Sequence, residues 1–162
     1  MSIKKGISNL VNAARSSLEE MTILATSAVA GYSSRHYFRN EVASLIGTDT
    51  RVYGEHFLWA GCATLGGYTL GRYIENLINE ATGDVEKSGM PYALMAVSTF
   101  IALAYDLNWE STQAASRGFF QTDQMMAELL GVSVVLAYVA IKNKITPKKI
   151  INNIRNSSLY ES

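Results

Sequence analysis

The stretch SGMPYALMAVSTFIALAY, from Ser88 to Tyr105, decides how the chain is read. It holds 18 residues without Asp, Glu, Lys or Arg, which is the length at which an uncharged run becomes a transmembrane helix candidate, roughly 18 residues or more. Period-two alternation is absent, so the run reads as helix rather than strand. Pro91 falls in the first turn, where a missing backbone N–H costs nothing. Three shorter uncharged windows share its character: Met21 to Ser34, His56 to Gly71 and Leu129 to Ile141. Charged residues stand at their ends (Glu19, Glu20, Glu55, Arg72, Glu128 and Lys142), where an interfacial position or snorkelling lowers the cost of a charge. The expectation is an all-α fold, a four-helix transmembrane bundle. It divides into an N-terminal segment 1–20, a four-span helical domain 21–142 and a basic tail 143–162.

Composition is compatible with this and excludes other classes. The chain has 162 residues, 48 % hydrophobic and 17 % charged, against a charged share of roughly 25 % in ordinary soluble domains. That rules out disorder and gives one domain's length. Fourteen basic residues balance fourteen acidic ones, so no basic surface points to nucleic acid. Cys62 is the single cysteine and sits among apolar neighbours, as a small buried hydrophobe would. Met21 to Ala30 contains a small-x-small pattern at Ala28-Val29-Ala30, but Glu19 and Glu20 precede it where a signal peptide carries positive charge. The segment is therefore kept as a helix of the mature chain.

The zero net charge conceals segregation. Residues 1–15 carry three basic side chains and no acid, residues 142–155 carry five and no acid, and residues 16–141 carry six basic and thirteen acidic ones. With four spans, ten Lys and Arg fall on the side of the termini and four on the other. The positive-inside rule then places both termini in the cytoplasm, in a multi-pass protein of a bacterial-type inner membrane. The basic tail would meet anionic membrane lipids.

Ala63, Gly67 and Gly71 recur every four residues in the second window, a small-xxx-small ridge that lets another helix come close and would also permit a homo-oligomer. The chemically suggestive residues lie elsewhere. His56 opens the second window, and Asp106, Glu110, Gln113 and Arg117 follow spacings of four, three and four, which align them on one face of a continuing helix. Asp123 and Glu128 add two further acids beyond the Arg117-Gly118 break, before Gly131. As a functional set they suggest an outer-facing pocket for a lipid headgroup or a cell-wall precursor, with Arg117 on an anionic group and the carboxylates orienting it. As a structural set they would be a hydrated face with exposed ion pairs. A metal site of His56 with Asp106, Glu110 or Asp123 lacks paired-histidine spacing. No GxSxG, Walker loop, CxxC or HExxH is present, so the sequence names no catalytic residue and no cofactor.

The run from Glu110 through Gln113 to Arg117-Gly118, followed by Asp123 and Gly131, resembles the pattern of VanZ-like membrane proteins. His56-Phe57 is similar to that family's histidine-phenylalanine position. The resemblance covers about residues 55–140. It implies a small multi-span bacterial membrane protein, linked in some members to tolerance of glycopeptide antibiotics. Two alternatives belong to other classes: an oligomeric pore-forming or membrane-remodelling protein of phage-lysis type, and a soluble helical-bundle interaction module.

Overall fold

The computed structural model describes residues 3–37, 39–83 and 88–144. Among these the chain forms six helices: α1 (Ile3–Ser16), α2 (Leu18–His36), α3 (Arg39–Ile46), α4 (Thr48–Thr82), α5 (Met90–Arg117) and α6 (Thr122–Lys142). Among the described residues the fold is all-helical. The basic tail beyond Lys144 lies outside the described residues.

The uncharged run at Ser88 to Tyr105 forms the first part of α5, with Pro91 in its opening turn. The helix continues through the polar stripe and stops where Gly118 takes a left-handed conformation, φ 81°, its N–H donating to the Ala114 carbonyl at 2.8 Å. Glycine closes α4 in the same way at Gly83, φ 80°, because only a residue without Cβ enters that region freely.

The 35-residue α4 is the hub. It touches every other helix, α5 and α6 most extensively, whereas α5 and α6 barely meet each other. Backbone contact makes this possible. A Cβ on Gly67 would lie 2.5 Å from the Leu94 carbonyl oxygen, and one on Gly71 would lie 2.4 Å from the Pro91 Cα. Both glycines thus seat α4 against α5, while Ala63 beside them is half-buried. On the α6 side a Cβ on Gly131 would fall 2.2 Å from the Phe57 carbonyl oxygen. A hydrogen bond from Thr99 to the Thr64 hydroxyl, 2.9 Å, adds a polar tie between α5 and α4. The apolar core is small, Leu65, Tyr68, Met95 and Val139 with Leu24, Val135 and Tyr138 against it.

Two described helices, α5 and α6, are long and apolar enough to cross a membrane, where the sequence suggested four windows. The difference has a physical reason. The apolar run of α2 is short and diluted by Thr22, Thr26, Ser27 and Ser33, and α4 carries Arg51, Glu55, Arg72 and Glu75 along its length. What α2 and α4 share with α5 and α6 is an apolar exterior. Val29, Leu70, Val97, Phe100, Ile101, Leu130, Val134 and Ile141 are all exposed. The buried set among the described residues is instead rich in polar groups, with Glu20, Arg51, Thr64, Thr69, Glu75, Asp106, Glu110 and Glu128 inside.

Candidate functional site

The end of the bundle where α4 begins, α5 ends and α6 begins holds a dense polar cluster. The close approach of Gly131 to Phe57 fixes α6 against α4. One turn earlier it brings Glu128, 0 % exposed, to His56, whose Nδ1 lies 2.5 Å from Glu128 Oε1. Asp106 of α5, 7 % exposed, stands within electrostatic reach of both. The next turn of α5 places Glu110, 2 % exposed, where Arg117 Nη2 donates to both of its carboxylate oxygens at 3.1 and 2.9 Å. One guanidinium nitrogen thus serves both carboxylate oxygens, a charge-assisted contact that fixes both side chains. The second arm of Arg117 reaches the Gln121 side-chain oxygen, the Gln121 N–H leans on Glu110 at 3.4 Å, and Gln124 donates to Gln121 at 2.8 Å. Within α4, Arg51 pairs with Glu55 four residues on.

Two adjacent spaces open on this cluster. One, about 300 Å³, is bordered by Arg51, His56, Glu110, Gln113, Gln121 and Gln124 among others. The other, about 350 Å³, lies between α4 and α5 and is lined by Glu55, His56, Trp59, Tyr105, Asp106 and Trp109. Glu55, His56 and Trp109 border both, so the two lie side by side about a shared wall and together make up the polar chamber. Volumes of this size suit small-molecule groups, for which roughly 300–1,000 Å³ is usual.

Among the residues singled out from the sequence, His56, Asp106, Glu110 and Gln113 meet at this chamber. Arg117 braces it from behind: its charge is engaged by Glu110 and Gln121 instead of facing the space. Asp123 lies outside, exposed, accepting a 2.6 Å hydrogen bond from the Tyr53 hydroxyl and so clipping α6 to α4. His36 borders a separate, mostly apolar space of about 340 Å³ between α2 and α4, together with Cys62. Among the described residues no three His, Cys, Asp or Glu are placed to share a metal ion.

Sequence reasoning passed over Glu55, Trp59, Trp109 and Glu128 as site residues. The signal was present for the first three: Glu55 and Trp59 are spaced by four, as are Tyr105 and Trp109, so each pair presents one face of its helix. Glu128 had no such signal, because its role depends on the α4–α6 contact at Gly131.

The opposite end of the bundle carries a second ionic layer. Lys142 lies 2.7 Å from Glu19 and 2.9 Å from the buried Glu20, the Tyr138 hydroxyl donates to Glu19 at 2.8 Å, and Asn143 donates to the Tyr68 hydroxyl at 2.8 Å. These contacts tie the start of α2 to the end of α6. Ser88 donates to Glu75 at 3.0 Å in the same region.

Comparisons of the chain with protein-family models, with curated proteins and with solved structures return no match.

Proposed function

We propose that the chain is a multi-span membrane protein whose polar chamber receives the headgroup of a lipid or of a lipid-linked envelope precursor. The observation that carries this reading is the inverted distribution of polarity: carboxyl groups of Asp106, Glu110 and Glu128 are buried while large apolar side chains cover the outside. In a bilayer the exposed apolar surface meets acyl chains at no cost, and buried ionisable groups mark functional positions.

Helix arithmetic supports the placement. From His56 to Arg72 on α4, from Asp106 back to Met90 on α5, and from Glu128 to Lys142 on α6, the rise is about 24, 24 and 21 Å at 1.5 Å per residue. These lengths approach the roughly 30 Å of a hydrocarbon core. The chamber would then lie at one interface and the Lys142 layer at the other, at the level of headgroups. Under this reading α2 and α4 span with α5 and α6, their polar faces turned inward, and both termini lie in the cytoplasm. The VanZ-like resemblance points to the same kind of protein.

Two measurements test this. Carbonate washing of membranes from expressing cells should leave the chain in the pellet; recovery in the soluble fraction without detergent would refute the reading. In a Cys62→Ala background, a cysteine at Ala114 should label from outside intact cells and one at Lys144 only after lysis. Equal labelling of both from outside would overturn the topology.

A further inference from the structure

Four carboxyl groups border or back the chamber, and three of them have a cationic partner. Glu55 has Arg51, Glu110 has Arg117, and Glu128 has His56. Asp106 has none. Its Oδ2 is buried without a hydrogen-bond partner, although the residue is more than nine-tenths buried and lines the space between α4 and α5. With a second carboxyl, Glu128, beside it, a charged Asp106 would be stabilised by a cation entering this space.

The other walls indicate which kind. Trp59, Tyr105 and Trp109 line the same space. Aromatic faces attract cations through the ring quadrupole, and several rings around one space are the usual host of alkylated ammonium groups. A hard metal ion would need several oxygen ligands at short range, and such a set is absent among the described residues. One carboxylate with three aromatic faces suits a bulky, weakly hydrated cation instead.

We infer that the space walled by Trp59, Tyr105 and Trp109 is a binding site for an organic ammonium group, with the Asp106 carboxylate as its counter-charge. This deepens the headgroup reading, on which it rests for the location of the site, by naming the chemistry of the head. The ammonium group can be borne by a lipid or be a free amine. Arg117, the residue suited to an anionic head, is occupied by Glu110.

Trp59 and Trp109 are the two tryptophans of the chain, so intrinsic fluorescence reports on the site directly. The full chain, purified in a maltoside detergent, is titrated with choline, with ethanolamine and with 3,3-dimethylbutanol, the uncharged isostere of choline. The expected result is a saturable change with choline or ethanolamine, none with the isostere, and at least tenfold weaker binding in Asp106→Asn. Tyr105→Leu, at an exposed ring, should weaken choline binding severalfold with the helical signal unchanged, and it serves where Asp106→Asn does not fold. A response to the neutral isostere equal to that of choline, no response to either amine, or undiminished binding in both variants overturns the proposal.

A second arm separates the sources. The protein is placed in nanodiscs of phosphatidylethanolamine with phosphatidylglycerol, or of phosphatidylglycerol alone. A lipid-borne ammonium should compete with choline and raise its half-saturating concentration in the first only. Equal choline binding in both supports the ammonium site while overturning the lipid-headgroup reading. Failure of all amines in detergent overturns the ammonium site and leaves the membrane reading to its own extraction test.

Discussion

Gly131 of α6 stands directly on the backbone carbonyl of Phe57 in α4, so close that a Cβ would fall 2.2 Å from that oxygen. The contact is backbone on backbone, and no side chain can move aside to relieve it. The same approach sets the 2.5 Å His56–Glu128 contact one turn away.

Gly131→Ala should therefore push α6 from α4 and open the His56–Glu128 pair. Overpacking of this kind costs about 1–3 kcal/mol. The expected outcome is a lowered thermal midpoint in detergent together with faster modification of His56 by diethyl pyrocarbonate. A midpoint equal to that of the unaltered chain would show that the helices do not approach in this way.

The Glu110–Arg117 pair predicts a charge asymmetry. Arg117→Ala strands a carboxylate that is 2 % exposed, a loss on the order of 3 kcal/mol for a broken buried pair. Arg117→Met combined with Glu110→Gln removes both charges and should recover most of that stability. Chemical denaturation of the two variants side by side checks the point; equal destabilisation would mean that the pair's charge is not what matters.

What the sequence could disclose follows from range. The α5 helix was legible because eighteen uncharged residues admit few other readings. Its continuation through Arg117 was legible from the four-three-four spacing of Asp106, Glu110, Gln113 and Arg117. The helices α1 and α3 escaped notice because neither contains a long uncharged run of its own. The partner of His56 was hidden for a different reason: Glu128 is 72 residues away and is delivered by a glycine contact that no local pattern encodes. Asp123 shows the converse. Its place just beyond the Arg117-Gly118 break made it a candidate for the same site, but after the turn at Gly118 it lies exposed against Tyr53.

Acidification should loosen the far end of the bundle first. The Glu19 carboxyl is held below its ordinary range by the hydrogen bond from the Lys142 ammonium, with the Tyr138 hydroxyl adding to the effect. A depressed carboxyl pKa stabilises the clamp above the group's unperturbed value, about 4.5, and the benefit disappears as pH falls through the lowered one. Proteolysis between α1 and α2, followed from pH 7 to 3, should accelerate only at the acid end. In Glu19→Gln that acceleration should be weaker; an unchanged profile would remove Glu19 from the account.

Glycine positions along α4 make opposite predictions from one physical rule. Removing a glycine from a helix interior gains about 1 kcal/mol in propensity when the new methyl has room. At Gly66 a Cβ would meet only the Leu24 side chain at 3.7 Å, an ordinary contact, so Gly66→Ala should be neutral or stabilising. At Gly71 it would lie 2.4 Å from the Pro91 Cα and 2.9 Å from the Met90 carbonyl oxygen, both backbone. Gly71→Ala should therefore lower the thermal midpoint and splay α5 from α4, moving the aromatic wall formed by Tyr105 and Trp109 away from Trp59. The tryptophan emission of Gly71→Ala should shift while that of Gly66→Ala stays fixed. Identical stability and emission in the two variants would mean that α5 is not seated on the glycine face of α4.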